Sequence, residues 1–163
     1  MKDVILSRKL LLIVLGALLL ALFLAGCTSS RNPVSADEFI VAAEELSFEV
    51  HETPMDEIEH LTDVGLVSSF SANRGTASVV FDVYTNGDSA KGNFDFYSNG
   101  VVDLFPSPQL EEIDGRSAWD LHQRRSPTAL VVAIRVDSTV LGASAETPED
   151  VAAVDALIAA IGY

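Results

Sequence analysis

The sequence predicts an α+β fold, with an antiparallel β-sheet and helices packed on one of its faces. Three observations lead there. Stretches such as Thr76–Thr85 alternate, with Val79, Phe81 and Val83 pointing one way and Val80, Asp82 and Tyr84 the other, the period of a strand. Strands come in pairs joined by turn residues, Asn73-Arg74-Gly75 in one half and Asp137-Ser138-Thr139 in the other, which makes neighbouring strands antiparallel. Between and after them lie apolar stripes at helical spacing: Ala90, Phe94 and Tyr97, then Val151, Val154, Ile158 and Ile161.

Along the chain, Ser35-Ala36-Asp37-Glu38 has the spacing of a capping box, whose serine and glutamate satisfy each other's free backbone N–H groups. It opens a helix that buries Phe39, Ala43 and Leu46. Phe48 and Val50 form a short strand, and Thr53-Pro54 opens a brief turn through Ile58. Leu61–Ala72 and Thr76–Thr85 pair as strands. Asn86-Gly87 closes the second of them, Asp88 caps the next helix, and Ser98-Asn99-Gly100 stops it. Val101–Gly115 reads mostly as loop, since Pro106 and Pro108 rule out a central strand there. Ser117–Arg124, Thr128–Val136 and Val140–Ala145 read as strands. Thr147-Pro148-Glu149-Asp150 starts the last helix, with threonine at the N-cap, proline at N1 and acid in the first turn. The two halves resemble each other: an N-terminal helix is followed by two loosely repeated ββα units.

The N-terminus carries a different pattern. Lys2, Arg8 and Lys9 precede the apolar run Leu10–Phe23, and Leu24-Ala25-Gly26-Cys27 closes it. A basic segment, an apolar segment and small residues before the cut describe a secretory signal peptide, and the terminal cysteine makes the site a lipobox. The competing reading is a retained membrane helix. Leu10–Gly26 would give about 25 Å of helix at ~1.5 Å per residue, at the short limit for spanning. The cysteine at the end of the run, the only one in the chain, favours the lipobox. The expected organisation is therefore residues 1–26 as signal peptide, 27–34 as a flexible linker lipidated at Cys27, and 35–163 as a single domain. Two acyl chains anchor stably where one holds only marginally, so the membrane is the first expected partner and the outer face of the cytoplasmic membrane the expected location.

Charge narrows the partners further. The chain carries a net charge of −14. Removing a leader that holds Lys2, Arg8 and Lys9 against Asp3 leaves the rest more acidic still, with Lys91 its only lysine. Such a surface argues against nucleic acid and against attraction to anionic headgroups. With its one thiol alkylated, the domain forms no disulfide and rests on an ordinary core.

The lipobox, Ser35-Ala36-Asp37-Glu38-Phe39, Leu46-Ser47-Phe48-Glu49-Val50, the segment Val79–Lys91, and the ending from Arg135 through Leu141 to Ile161-Gly162-Tyr163 resemble a group of small lipoproteins of Gram-positive bacteria that have no assigned activity. The resemblance implies an extracytoplasmic α+β domain, and it carries over no functional residue. This chain departs from the group in its near absence of lysine.

Motifs for chemistry are few. There is no G-x-S-x-G, P-loop or dinucleotide fingerprint. His51-Glu52 with Asp56, Glu57, Glu59 and His60 forms the one acidic-histidine cluster. Asp56 and His60 would share a helix face at a spacing able to hold a divalent metal, but a solvated acidic loop explains the cluster as well. On the strand through His122, Trp119, Leu121 and Gln123 point to one face, Asp120, His122 and Arg124 to the other; Trp119 belongs to the core and the polar set to the wet side of the sheet. No metal ligand, cofactor or catalytic residue is assigned. The expected function is a binding or interaction module of the cell envelope, with a small-ligand or metal binder as the alternative. A hydrolase would need a nucleophile–base pair that the sequence does not display, so no enzymatic activity is expected.

Overall fold

The structure, a computed structural model, describes residues 31–54, 56–57, 62–104 and 108–163. Among the described residues, the elements follow in the order α1 (Ala36–Glu45), β1 (Glu49–Glu52), β2 (Leu66–Arg74), β3 (Ala77–Tyr84), α2 (Gly87–Leu104), β4 (Leu110–Gly115), β5 (Trp119–Arg125), β6 (Leu130–Val136), β7 (Thr139–Ala145) and α3 (Pro148–Ala160). The strands form a single sheet in the order β1-β2-β3-β7-β6-β5-β4, and every neighbouring pair is antiparallel. The expected α+β class with an antiparallel sheet is what the chain adopts. Among the described residues, no helix is long and apolar enough to cross a membrane.

Register sorts the side chains into two faces. Phe70, Phe81, Leu141, Ile134 and Leu121 lie in one row across the strands, with Ala72, Val79, Ala143 and Val132 in the next. These rows form the main core with α1 and α3, which bring in Phe39, Ala43, Val151, Val154 and Leu157. Phe39 stacks on Phe81, ring centroids 4.5 Å apart. The opposite face carries Val80, Asp82, Tyr84, Val140, Gly142, Ala133, Arg135 and His122, and α2 packs there through Ala90, Phe94 and Val101. The helices therefore occupy both faces, α1 and α3 on one and α2 on the other, rather than one face alone. A helix stripe declares that a helix packs but not on which side of the sheet. β6 is buried at nearly every position, Leu130–Val136, as a strand covered from both sides must be.

The capping box forms as the sequence predicts. Ser35 N–H donates to Glu38 Oε2 at 2.9 Å while Ser35 Oγ accepts from the Glu38 N–H at 3.3 Å. Thr147 caps α3 in the same way, accepting from Asp150 N–H at 3.2 Å. The hairpin β2–β3 turns at Gly75, where φ is +56° and an added Cβ would lie 2.7 Å from the Asp150 carboxylate. Only glycine avoids both the left-handed strain and that clash. Asp150 then accepts from Thr76 N–H and Oγ1–H at 2.9 and 2.7 Å, which ties the hairpin to the first turn of α3.

Two expectations between Ser98 and Gly115 are corrected. α2 runs through Asn99-Gly100 to Leu104, because Val101 continues the stripe of Ala90, Phe94 and Tyr97 and is almost wholly buried. That burial outweighs the ~1 kcal/mol that a helical glycine costs. After Pro108 the chain forms β4 rather than loop. β4 is an edge strand exposed at all its positions, held by its register with β5 (Glu111 opposite Arg124, Ile113 opposite His122).

The residues just ahead of Ser35 also make contacts. Arg31–Val34 lies against the domain: the Arg31 guanidinium sits 4.2 Å above the Trp119 ring, Val34 N–H donates to the Tyr163 hydroxyl at 3.2 Å, and Val34 packs on the main core. The compact unit therefore includes residues ahead of Ser35.

Candidate functional site

The face under α2 is where polar groups gather. α2 lies mainly over β6, then over β5 and β7. In its shelter stand two polar groupings and, between helix and sheet, a groove.

The first grouping centres on Asp82. Its carboxylate accepts from the hydroxyls of Tyr97 at 3.1 Å and Tyr84 at 3.3 Å and from Asn93 Nδ2 at 3.2 Å; Asn93 also bonds the Tyr84 hydroxyl. Burial pushes the carboxyl above the usual range, against the pull of these donors and of Ser69. Burial, followed by the charge of Asp82, raises both tyrosines well beyond the ordinary phenol value, so they stay protonated donors.

The second grouping runs from α2 to the sheet edge. Ser98 Oγ lies 2.6 Å from His122 Nδ1, and His122 Nε2 lies 3.2 Å from Glu111 Oε1. Glu111 also pairs with Arg124 at 2.7 Å, which together with the histidine lowers its pKa. A carboxylate only accepts, so Nε2 carries the proton donated to Glu111 and Nδ1 accepts from the Ser98 hydroxyl. The order serine, histidine, acid is that of a hydrolytic relay. However, Ser98 stands in the middle of α2, where surrounding amides are bonded within the helix, so no free N–H pair awaits an oxyanion. Ser98 and His122 also stand apart from the groove. The relay works as a polar staple between α2, β5 and β4.

His122 is thus not on a wet side of the sheet. It is 3% exposed, because α2 covers the face where Asp120 and Arg124 also point. Asp120 pairs there with Arg135, itself buried, at 2.6 Å and with Lys91 of α2 at 3.6 Å. Trp119 is core, as expected, and Arg125 bridges to Asp155 of α3 at 2.6 Å. His51 is exposed on β1, 3.3 Å from Glu49. Asp56 is exposed, while His60, its expected partner, and Cys27 lie outside the described residues. Among the described residues no group of three or more His, Cys, Asp or Glu side chains could hold a metal.

The groove has a volume of about 450 Å³ and opens between the C-terminal half of α2 and strands β3, β7 and β6. Val80, Val131 and the bare backbone at Gly142 form its floor, and Phe96, Tyr97 and Gly100 its helical wall. Gly142 lets the ring approach closely: a Cβ there would lie 3.1 Å from Tyr97 Cδ1. Phe96, 72% exposed, stands at the mouth with its ring edge-on to Tyr97. Ser78, Ser144, Asn99 and Asp103 add polar atoms, and among the described residues Asp103 is the one charged member of the lining. Phe96 carries no signal in the sequence and Gly100 reads there only as part of a helix stop; the groove follows from how α2 lies on the sheet.

No family model matches the chain, and no curated protein matches it. Among solved structures it is similar to a GTP binding regulator from Thermotoga maritima, with a TM-score of 0.47 and 14% identity over 82% of this chain and 93% of that one. It is also similar to the extracellular domain of PknH from Mycobacterium tuberculosis, with a TM-score of 0.36 and 6% identity over 80% of this chain and 98% of the other.

Proposed function

We propose that this chain is a lipid-anchored extracytoplasmic binding module, held by a lipid on Cys27, whose α2 groove takes a small ligand with an apolar body and a neutral or cationic end. One observation carries the reading: the apolar groove of about 450 Å³ beside α2, within the ~300–1,000 Å³ typical of ligand sites. Its few polar groups can orient a bound molecule. The charge of the occupant follows from Asp103 at the groove and from the chain's net −14, which together disfavour an anion. Binding rather than catalysis is the proposed role, since the serine–histidine–glutamate relay meets neither the groove nor an oxyanion site.

Every core contact described above lies within the compact unit Arg31–Tyr163, so this part can be produced alone. Native mass spectrometry of Arg31–Tyr163, purified gently from its own host, tests the reading. A stoichiometric organic mass, displaced by an alkylammonium ion and not by an alkyl sulfate of the same chain length, is the expected result. A bare monomer that also fails to bind the neutral apolar dye Nile red overturns it.

A further inference from the structure

We infer that the Arg31–Trp119 contact is a latch that seats the domain on the lipid surface by its β4–β5 turn end and presents the groove away from the bilayer. The inference rests on the lipid anchor at Cys27. Three observations carry it. First, the contacts of the domain reach back to Arg31, whose guanidinium lies over Trp119, its burial there offset in part by the carboxylates of Asp114 and Glu112; the Val34–Tyr163 hydrogen bond holds the chain three residues further on. Second, Arg31 follows Cys27 by only four positions, a reach of at most about 14 Å, whereas a linker free as far as Val34 would reach ~25 Å.

Third, the latch and the groove lie at opposite ends of the strands. Trp119 pairs with Val136, beside the Asp137-Ser138 turn. The groove residues Ser78, Ser144 and Val131 share a row with Arg124, five residues further along β5, or roughly 17 Å at ~3.4 Å per residue. Trp119 also belongs to the α1–α3 face, and the groove to the α2 face. A short leash from the Trp119 end therefore places the groove on the far side of the domain from the membrane. Its ligand comes from the aqueous or wall side and not from the leaflet beneath.

The test uses the full lipidated chain in phosphatidylcholine vesicles that contain headgroup-level spin-labelled lipid. With Cys27 blocked by its lipid, Ser117→Cys and Thr128→Cys each offer one free thiol for a fluorophore, at the latch end and the groove end respectively. The expected result is several-fold stronger quenching at position 117 than at position 128, with the contrast collapsing when Arg31→Ala is added. Equal quenching in the lipidated chain, or a contrast indifferent to Arg31→Ala, overturns the latch. Intact mass of the same preparation separates the two readings: a chain recovered without lipid on Cys27 overturns the anchor and the latch together.

Discussion

Gly100→Leu puts the groove to a test that folding cannot mimic. Gly100 lies inside α2 and lines the groove, and a Cβ built on it meets no heavy atom within 4 Å. A leucine there enters open space, and the helical direction of its side chain lays it back toward the Phe96 row. Replacing an interior helical glycine by leucine favours the helix by about 0.8 kcal/mol. For a domain of about 130 residues this raises Tm by roughly 3–5 °C. The same side chain fills the space between Phe96 and the sheet, so the variant gains stability and loses the ligand. Differential scanning calorimetry and Nile red titration of Arg31–Tyr163 read the two effects separately. A stabilised variant that binds as tightly as the parent refutes the placement of the site. A destabilised one refutes the claim of open space at Gly100.

Three further outcomes follow from the packing. Phe81→Ala removes a fully buried ring that stacks on Phe39 and costs about 3–5 kcal/mol; urea denaturation should show the midpoint falling by a large part of its value, since a domain has only ~5–15 kcal/mol to lose. Asp82 binds its proton more tightly folded than unfolded, so its contribution favours folding at low pH and is lost as pH rises through its folded pKa. Asp82→Asn therefore raises Tm most near pH 8 and least near pH 4, and an advantage that grows toward acid contradicts this. Ser98→Ala leaves His122 Nδ1 facing a methyl group and costs about 1–3 kcal/mol in urea while Nile red affinity stays unchanged; a lost affinity would make Ser98 part of the site.

Legibility in the sequence followed the range of the interactions. Ser35 with Glu38 and Thr147 with Pro148 are decided within one turn of helix, and both ends form as their residues dictate. The alternation of Val79, Phe81 and Val83 likewise depends only on strand period. What was misread depends on distant partners. Gly100 looks like a stop until Val101 is seen beneath α2. Leu110–Gly115 has no buried face to betray a strand and is held by backbone pairing to β5. His122 looked wet because nothing near it in sequence announces the helix above it. Ser98 and Glu111 reach it from segments read as a helix stop and a loop. Nothing beside Arg31 in sequence announces its partner, Trp119, which lies far along the chain. The groove is a gap between elements, and no local pattern encodes a gap.

The strand order has a bearing on how the molecule comes into being. After β3 the chain leaves the middle of the sheet, passes along α2 to the far edge at β4, and returns through β5 and β6 until β7 fits beside β3. The seam joins residues 78–83 to residues 139–144, so the centre of the sheet can close only after the distant half of the polypeptide has arrived. Loop closure over such a separation is slow compared with forming either hairpin. Until it happens, the strand carrying Val79 and Phe81 is paired only with β2 and leaves its other edge open, the kind of edge that invites aggregation. Synthesised N-terminus first, the polypeptide holds its first half waiting for its last strand, and the interval before β7 appears is when it most needs protection by a chaperone.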